Sequence, residues 1–357
     1  MDIKIQRASD SKIDTLPTDS SQLGFGRYFT DHMFLMNFNR EEGWHNPRIE
    51  PYKNLELAPS AMVLHYAQQV FEGLKAYRGK DGGVFLFRHN NNWDRLNRSC
   101  ERMVIPQIDP AVVNQGLKEL IKLDQDWIPQ AEGCALYIRP TVIATDPFLG
   151  VRPSDTYLFF IIMGPVGAYY PEGFNPISIY VSDKYVRAVA GGTGEAKTSG
   201  NYSGSLAAQR EAQQAGYSQV LWLDAKERKY VEEVGTMNIF FRINDELITS
   251  PLTGSILPGN TRNAVIQIAK EWGVKVVERK LAIDEIVEAN NNGSLKEVFG
   301  SGTAAIIAPV KQFFYQENSH QVADGNTGEL SARLYEYILD LQYGRAEDPF
   351  NWREQIL

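Results

Sequence analysis

Runs of apolar residues bounded by polar turns mark the strands of this chain. The two longest runs, CALYIRPTVIAT and TYLFFIIMGPV, predict buried strands. Shorter runs rich in aromatic and β-branched residues predict further strands. These shorter runs are RYFTDHMFLMNF, VFLFR, ISIYVSDKYVRAVA, QVLWLD, KYVEEV, MNIFFRI and VKVVERKL.

Apolar residues at helical spacing predict helices in other segments, and several carry end signals. We expect an asparagine cap at the start of the first helix, Pro110 in the first turn of the second and Gly216 at the end of the third. The segments are NNNWDRLNRSCERM, DPAVVNQGLKELIKLDQDW, SLAAQREAQQAG, TRNAVIQIAKEWG, AIDEIVEANNNG and ELSARLYEYILDLQYG. The segment NREEGWHNPRIEPYKN is polar, and the C-terminal FNWREQIL is uninformative.

The alternation of strands and helices over 357 residues predicts an α/β (α+β) protein of two domains. The segment GPVGAYYPEGFNP concentrates glycine, proline and aromatic residues, which is typical of a connection between domains. We therefore expect a smaller N-terminal domain at 1–167, an interdomain loop at 168–176 and a larger C-terminal domain at 177–357.

Composition excludes several classes of protein. Apolar residues make up 43% and charged residues 22%, which is ordinary for a globular protein. The net charge of -8 argues against nucleic-acid binding, and two cysteines are too few for a disulfide scaffold or a cysteine-rich zinc site. The N-terminus has no apolar core and the apolar run at 158–163 is too short to span a bilayer. We expect a cytoplasmic protein that binds neither membrane nor metal.

Lys197 lies among small residues, in the segment GGTGEAKTSGNYSGS at 191–205. A lysine in a tight, partly desolvated pocket becomes nucleophilic because burial disfavours its charged form. Flanking glycines let a planar aldehyde cofactor approach the backbone, and Tyr202 is placed to present its hydroxyl to the same ring. The alternative is a surface lysine on a flexible loop, since most lysines are exposed.

A phosphate-binding P-loop is a competing interpretation of the same segment. Its pattern is G-x-x-x-x-G-K-[ST], which Gly191 and Lys197 match, but Ala196 replaces the second glycine. A P-loop also needs a helix directly after the lysine, and the glycines within 199–204 oppose one. A nucleotide hydrolase is therefore disfavoured.

Two adjacent carboxylates, Glu232 and Glu233, end an otherwise apolar strand in YVEEVGTMNIFF. Strand alternation places them on opposite faces, so that one is solvated and the other faces inward. An inward carboxylate needs a cationic partner, which a protonated pyridine nitrogen or an arginine can supply. An internal salt bridge to an arginine is the commoner case.

Three further features suit an anionic group. Asn260 and Thr261 open a helix after a Pro-Gly pair, and free N–H groups at a helix start bind phosphate or carboxylate. The small-residue turn at 300–304, with the Thr303 hydroxyl, offers similar contacts. Arg95 presents a guanidinium fork. Helix capping and a surface salt bridge account for the same residues.

Together these segments resemble the branched-chain-amino-acid aminotransferases, which are fold-type-IV pyridoxal-phosphate enzymes. The resemblance runs from residue 71 to 310 with the motifs in the family's order. The motifs are FEGLKAYRG (71–79), NNWDRLNRS (91–99), LYIRPTVIATDPFLGV (136–151), GGTGEAKTSGNYSGS (191–205), EEVGTMNIFF (232–241), ILPGNTR (256–262) and FGSGTA (299–304).

The resemblance implies the cofactor pyridoxal 5'-phosphate and a role for each matching residue. Lys197 corresponds to the lysine that binds the cofactor covalently and later shuttles the proton. Glu233, rather than Glu232, corresponds to the carboxylate that faces the pyridine nitrogen, and Tyr202 to the tyrosine near the phenolic oxygen. The phosphate cup corresponds to Arg95, Asn260, Thr261 and Thr303, with Arg187 and Thr236 as further cofactor residues.

The same resemblance implies a substrate pocket and a homodimer or an assembly of dimers. The substrate residues are expected to be Tyr66, Phe71, Tyr137, Arg139, Tyr169, Thr236, Thr303 and Ala304, with Leu149 and Val151 entering from the partner subunit. Some relatives carry a CxxC pair after the GSGTA turn, but this chain has Ala305 and Ala308 there. A thiol redox switch at that place is therefore excluded.

The expected activity is reversible ping-pong transfer of the amino group of leucine, isoleucine or valine to 2-oxoglutarate. Aromatic walls would bury the branched side chain, and Arg139 would pair with the second carboxylate of glutamate. The alternatives within the fold are a D-amino-acid aminotransferase and an aminodeoxychorismate lyase. A non-catalytic binding module of the same fold is a further alternative.

Overall fold

The computed structural model describes residues 2–167 and 174–357 and forms two units. The first unit comprises Met1–Tyr169, Ala196–Ser199 and Asp340–Leu357, and the second comprises Tyr170–Glu195 and Gly200–Leu339. This division differs from the predicted continuous domains, because the segments Ala196–Ser199 and Asp340–Leu357 pack with the first unit. The predicted interdomain loop at 168–176 lies mostly outside the described residues, so the predicted boundary stays a prediction.

The described residues form both strands and helices. The strands are β1 (Lys4–Ile5), β2 (His32–Asn39), β3 (Gly43–Pro51), β4 (Gln69–Phe71), β5 (Leu74–Arg78), β6 (Val84–Phe87), β7 (Ala135–Ala144), β8 (Tyr157–Val166), β9 (Ile177–Ser182), β10 (Gln219–Leu223), β11 (Val231–Val234), β12 (Met237–Ile243), β13 (Glu246–Thr249), β14 (Lys275–Glu278), β15 (Leu295–Gly302), β16 (Ile306–Tyr315), β17 (Asn318–Gln321) and β18 (Arg353–Gln355). The helices are α1 (Met62–Tyr66), α2 (His89–Arg102), α3 (Pro110–Leu123), α4 (Ser199–Ser203), α5 (Leu206–Gln214), α6 (Asn260–Glu271), α7 (Ile283–Asn291) and α8 (Glu329–Gln342).

The first unit is built on one mixed sheet with the order β1-β3-β2-β8-β7-β5-β6-β18, and β4 pairs with β7. The predicted strands β7 and β8 are confirmed and pair along their whole length, from Ala135 opposite Val166 to Ala144 opposite Tyr157. The helices α2 and α3 bury their apolar faces in the core of this unit, which includes Trp93, Leu117 and Phe159. Burial of such side chains is the main stabilising contribution.

Three local predictions in the first unit were wrong or incomplete. The polar segment NREEGWHNPRIEPYKN contains β3, which pairs with β2 on one side and β1 on the other. The helix α2 begins at His89 after Arg88 in the left-handed conformation, and no side chain caps it, so the expected asparagine cap is absent. The uninformative C-terminus forms β18, which pairs with β6 from Arg353 opposite Phe87 to Gln355 opposite Phe85.

The second unit contains a sheet with the order β11-β10-β9-β16-β15-β12-β13-β14, and β17 pairs with β16. An additional pairing between β11 and β12 closes six of these strands into a ring. The helix α5 packs Ala208 and Ala212 against Val220 and Trp222 of β10. The predicted α5, α6, α7 and α8 are confirmed, and Gly216 follows α5 with a φ of +85°, as expected of a helix end.

Among the described residues, every helix is too short or too polar to traverse a lipid bilayer.

Candidate active site

The backbone of Lys197 is fixed within the first unit by two hydrogen bonds of its own and by one from the neighbouring Thr198. Its N–H donates to Ser99 Oγ at 2.9 Å, and its carbonyl accepts from the N–H of Phe71 at 3.0 Å. The hydroxyl of the next residue, Thr198, donates to the carbonyl of Gln69 at 2.7 Å. The lysine Cα is therefore held against β4 and α2, while its half-buried side chain places Nζ 4.7 Å from the Phe71 ring centroid.

Glu72 follows Phe71 and is completely buried. Arg95 donates to it twice, from Nε to Oε1 at 2.6 Å and from Nη2 to Oε2 at 2.9 Å, and Asn92 Nδ2 donates to Oε2 at 2.7 Å. Burial alone would raise the pKa of Glu72, but the charges of Arg95 and Lys197 and the hydrogen bonds from Arg95 and Asn92 hold it below its ordinary value. Sequence reasoning missed Glu72, because its partner lies 23 residues away and only the fold shows the pair.

A second buried ionisable group, Lys75 of β5, was also missed. Its exposed fraction is 6%, and burial lowers its pKa to about 8, although the neighbouring Cys134 opposes the shift. An isolated lysine within an apolar strand pattern is a weak sequence signal, since lysine is normally exposed. The structure thus adds two buried charges to this part of the first unit.

Arg139 of β7 stacks on two aromatic rings. Its guanidinium carbon lies 4.7 Å from the Phe71 ring centroid and 5.3 Å from that of Tyr137, and its Nη2 donates to the Tyr137 hydroxyl at 2.8 Å. Tyr137 approaches so closely that a Cβ atom on Gly73 would lie 2.2 Å from its hydroxyl oxygen. A glycine is therefore required at residue 73. The Phe71 ring thus contacts both the Arg139 guanidinium and the amine of Lys197, and Tyr137 contacts Arg139.

The side chain of Arg139 still has bonding capacity. Its Nε is buried and has no hydrogen-bond partner within residues 2–167 and 174–357. Buried polar atoms are nearly always hydrogen-bonded, so an unmatched guanidinium N–H indicates a place for an acceptor that the chain itself does not supply. A carboxylate fits this donor, because guanidinium and carboxylate groups form charge-assisted hydrogen bonds.

The other expected substrate residues of the first unit that the structure describes are exposed. Tyr66, at the end of α1, is 39% exposed, and Leu149 and Val151, in the connection between β7 and β8, are 64% and 90% exposed. The predicted Tyr169 lies outside the described residues. The structure therefore brings together Phe71, Tyr137 and Arg139, but leaves these exposed side chains without a role inside one copy of the first unit.

In the second unit Glu233 is 2% exposed and is held on both of its oxygens. Oε1 accepts from Asn238 Nδ2 at 3.1 Å and from the N–H of Leu257 at 3.1 Å. Oε2 lies 2.6 Å from Arg187 Nε. The inward carboxylate is thus Glu233, as expected, and it has the arginine partner that sequence reasoning considered the commoner case. Asn238 was not singled out from the sequence, although it lies in the motif EEVGTMNIFF.

Glu232 points away from Glu233 and lines a cavity of about 410 Å³ together with Tyr230, Ile256 and Lys280. It is half-buried, and the hydroxyl of Ser255 donates to its Oε1 at 2.5 Å. Burial raises the pKa of Glu232, and the hydrogen bond from Ser255 opposes the shift. The predicted alternation of the two glutamates across β11 is therefore confirmed.

The helix α6 begins at Asn260 without a side-chain cap, because its N-cap residue is Gly259. A Cβ atom on Gly259 would lie 2.0 Å from Asn238 Oδ1, so only glycine lets Asn238 approach the start of the helix. Asn260 and Thr261 are half-buried, and Asn260 Nδ2 has no hydrogen-bond partner in the part of the chain that the structure describes. An uncapped helix start with an unmatched amide donor suits a bound anion.

The remaining expected residues of the second unit lie on turns and on one short helix. Thr236 is exposed in the tight turn between β11 and β12, and Thr303 and Ala304 are half-buried between β15 and β16. Tyr202 lies on α4, and its carbonyl accepts from the Ser205 hydroxyl at 2.7 Å.

The residues after Lys197 do form a helix, α4, so the expectation that glycines prevent one was wrong. Two hydrogen bonds between Thr193 and Asn201 account for this, since they anchor the turn from outside. The helix spans only Ser199–Ser203, however, and the next residues break it at Gly204.

Comparison with known proteins gives the family. The family model for amino-transferase class IV matches residues 69–313. The branched-chain-amino-acid aminotransferase 2 of Bacillus subtilis is 54% identical over 95% of this chain and 93% of its own length. Among solved structures, the branched-chain amino acid aminotransferase of Escherichia coli has a TM-score of 0.75 at 28% identity, with 92% of this chain and 99% of that chain covered.

A further solved structure is the branched-chain amino acid aminotransferase of T.th. in complex with N-(5'-phosphopyridoxyl)-L-glutamate. It has a TM-score of 0.75 at 26% identity and covers 91% of this chain and 98% of that chain. These matches extend over nearly the whole chain and agree with the motifs that carry the resemblance. The chain belongs to the branched-chain-amino-acid aminotransferases of the class IV aminotransferase family.

Proposed function

We propose that this protein catalyses the reversible transfer of the amino group of leucine, isoleucine or valine to 2-oxoglutarate, with Lys197 as its catalytic residue. One observation carries the proposal: the amine of Lys197 and the guanidinium of Arg139 each lie 4.7 Å from the centroid of the same ring, Phe71. A proton-transferring group and a carboxylate-binding group therefore both lie next to one aromatic side chain. Transamination of an amino acid needs these two groups.

Class IV aminotransferases use pyridoxal 5'-phosphate, and the residues present fit this group. In the second unit, the uncapped start of α6 and the unmatched Asn260 amide suit its phosphate, and the buried Glu233 suits its protonated nitrogen. Arg95, Thr261 and Thr303 would also hold the phosphate. Arg187, Tyr202 and Thr236 are the further residues that we assign to the cofactor.

When bound, the cofactor supplies a ring that accepts electrons as the bond between Cα and hydrogen of the substrate breaks. The side chains do the rest. The Lys197 amine would take the Cα proton of the donor as a general base and give it up again as a general acid within the same half of the cycle. In the other half it would deliver a proton to Cα of the second substrate. The Glu233 carboxylate holds a proton on the pyridine nitrogen by charge pairing. The backbone amides of Thr303 and Ala304 would bind the substrate α-carboxylate.

The substrate pocket must accept an apolar and an anionic side chain in turn. The rings of Phe71 and Tyr137 offer the apolar wall, to which we add Tyr66 and Tyr169. The Arg139 Nε, which is buried and unmatched within the described residues, offers a donor to the second carboxylate of glutamate. Leucine, isoleucine and valine should all react, because one methylene in such a pocket discriminates by only about 1–3 kcal/mol.

We further propose a homodimer, or an assembly of dimers, in which Leu149 and Val151 enter the partner's substrate pocket. Both side chains are largely exposed, as is the neighbouring Phe148 at 43%. A group of exposed apolar side chains on one connection is typical of an interaction surface. A cytoplasmic location stays a prediction.

Absorbance and turnover of the purified protein test the proposal. We expect a visible absorbance band from the bound cofactor that decreases on addition of L-leucine and returns on addition of 2-oxoglutarate. Glutamate should accumulate with L-leucine as donor and not with D-alanine. A colourless protein that cannot be reconstituted with pyridoxal 5'-phosphate would contradict the cofactor assignment, and turnover of D-alanine alone would favour the D-amino-acid alternative.

A further inference from the structure

The two adjacent glutamates of β11, Glu232 and Glu233, both accept hydrogen bonds from one short segment, Ser255–Ile256–Leu257. Glu233 Oε1 accepts the N–H of Leu257 at 3.1 Å, and Glu232 Oε1 accepts the hydroxyl of Ser255 at 2.5 Å. Because successive residues of a strand point to opposite faces, the adjacent glutamates contact two different residues of the segment, Ser255 and Leu257. Both contacts lie within the second unit.

Ser255 links Glu232 to the contacts of Glu233. Its side chain is 3% exposed, and its backbone carbonyl accepts from Arg187 Nη1 at 3.0 Å. Arg187 Nε in turn lies 2.6 Å from Glu233 Oε2. A continuous set of contacts therefore runs from the Glu232 carboxylate through Ser255 and Arg187 to the oxygen of Glu233 that Leu257 does not hold.

The packing around Ser255 shows that this position is tightly defined. A Cβ atom on Gly194 would lie 2.2 Å from the Ser255 carbonyl oxygen, so only glycine permits the approach of these two backbones. Arg187 also reaches the carbonyl of Gly194, at 3.4 Å. A shift of Ser255 would therefore displace the acceptor of Arg187 as well as the segment that donates to Glu233.

We infer that Glu232 is a positioning residue for the cofactor-facing carboxylate: through Ser255 it fixes Arg187 and the Leu257 N–H, and these fix Glu233. The inference rests on the proposed role of Glu233. It gives a function to Glu232, whose side chain lies on the opposite face of β11 from that of Glu233. Glu232 acts through its acceptor oxygen, and its negative charge is secondary.

Three substitutions test the acceptor role. Glu232→Ala removes the acceptor, Glu232→Gln keeps an acceptor oxygen without the charge, and Glu227→Gln removes a charge from another residue that lines the same cavity. The readouts are the dissociation constant of pyridoxal 5'-phosphate from the holoenzyme, the pH midpoint of the cofactor absorbance, and kcat and KM for leucine.

We expect Glu232→Ala to weaken cofactor binding by roughly tenfold, the effect of losing one hydrogen bond to a charged group, and to lower kcat more than it raises KM. Glu232→Gln should recover most of the affinity, and Glu227→Gln should match the unmodified protein. Equal losses in Glu232→Ala and Glu232→Gln would show that charge, and not position, matters and would overturn the inference. An unchanged Glu232→Ala would overturn it too.

A double substitution separates the proposed path from general destabilisation. If Glu232 acts through Ser255, the variant with both Glu232→Ala and Ser255→Ala should bind the cofactor no more weakly than the worse single variant. Additive losses would overturn the path. Thermal melting of the cofactor-free proteins identifies a variant that fails to fold. If Glu232→Ala fails to fold, Ser255→Ala takes its place in the comparison with Glu232→Gln, because it removes the same hydrogen bond and keeps the backbone carbonyl.

The same measurements on Glu233→Gln distinguish failure of this inference from failure of the proposed function. If Glu233→Gln leaves both cofactor affinity and the absorbance midpoint unchanged, then the assignment of Glu233 to the cofactor nitrogen is wrong. If Glu233→Gln changes both and Glu232→Ala changes neither, then only the positioning role of Glu232 is wrong.

Discussion

Glu72 in the first unit and Glu233 in the second are each buried beside an arginine, and the two pairs differ in what holds them. In the first unit, Glu72 accepts two hydrogen bonds from Arg95 and one from Asn92, and both donors belong to the single helix α2. In the second unit, Glu233 lies against Arg187 through one guanidinium nitrogen and takes its other bonds from Asn238 and from the backbone of Leu257.

The difference distinguishes a carboxylate that we assign a structural role from one that we assign a role in the reaction. Both acids are nearly inaccessible, so burial alone does not distinguish them. Glu72 is tied to one rigid helix, and its partner is bidentate, which makes its position insensitive to any loop. Glu233 depends on the segment that leads into α6, whose uncapped start is the anion site that we propose for the second unit. We therefore assign Glu72 to the framework around Lys197 and Glu233 to the chemistry.

The largest effect should come from Lys197→Ala, which removes the reacting amine and leaves the framework intact. We expect turnover of leucine to fall by about a thousandfold or more and the visible absorbance of the lysine-bound cofactor to disappear, while the melting temperature of the cofactor-free protein changes little. Steady-state kinetics, spectroscopy and calorimetry check this. Residual turnover close to that of the unmodified protein would remove the lysine assignment and with it the distinction between framework and chemistry.

Alanine substitution of each acid tests the comparison directly. Glu72→Ala should lower the free energy of unfolding of the cofactor-free protein by about 3–5 kcal/mol, because Arg95 loses both of its bonds to a carboxylate in a buried place. Glu233→Ala should cost less, about 1–3 kcal/mol, since Arg187 keeps the Ser255 carbonyl as an acceptor.

Denaturant unfolding ranks the same two variants by stability, and cofactor titration ranks them by cofactor affinity. Cofactor affinity should fall more in Glu233→Ala than in Glu72→Ala, which is the reverse of the order in stability. The same order in both measurements would break the distinction between the two pairs.

A smaller effect is expected from substitution of Arg139, which stacks on Phe71 and Tyr137 in the first unit. Arg139→Ala should lower kcat/KM for glutamate and 2-oxoglutarate about tenfold more than kcat/KM for leucine, the size of one charge-assisted hydrogen bond. Arg139→Lys keeps the charge but not the planar fork, so it should recover only part of the loss. A uniform loss for all substrates would contradict the role in side-chain selection.

The smallest effect concerns the pH dependence of stability from Lys75, which is also buried in the first unit. Its pKa is lowered to about 8 in the folded protein, so the unfolded chain binds more protons between that pH and the ordinary value of 10.5. The free energy of unfolding should therefore rise with pH in this window.

Lys75→Met should lack this rise, which we expect to be about 3 kcal/mol. Denaturant unfolding at several pH values checks it, with Cys134→Ala in both proteins because burial raises the pKa of that thiol and so adds a pH dependence of its own. Parallel pH profiles for the two proteins would show that Lys75 titrates normally.

Much of this framework was predictable from local sequence. The strands β7 and β8 follow from their continuous apolar runs, and the inward orientation of Glu233 rather than Glu232 follows from strand alternation together with the family motif. Such signals succeed because a strand with one or two buried faces fixes its register through its own side chains.

The parts that sequence reasoning missed depend on distant partners. The strand β3 is polar because it lies between β1 and β2 near the sheet edge, and β18 exists only through its pairing with β6. Likewise, the ion pair of Glu72 and Arg95 joins residues that no local pattern links. Hydrogen bonds of this kind are visible only once the fold has brought both groups together.

The first unit is assembled from three separate stretches of chain, and this has a consequence for biosynthesis. Its edge strand β18 and the segment Ala196–Ser199 are made after its other strands, and β18 is made after the whole second unit. A ribosome therefore synthesises nearly the entire polypeptide before the first unit can complete its sheet. Neither a truncated N-terminal fragment nor a single cut between the units yields an intact half that contains the reactive amine.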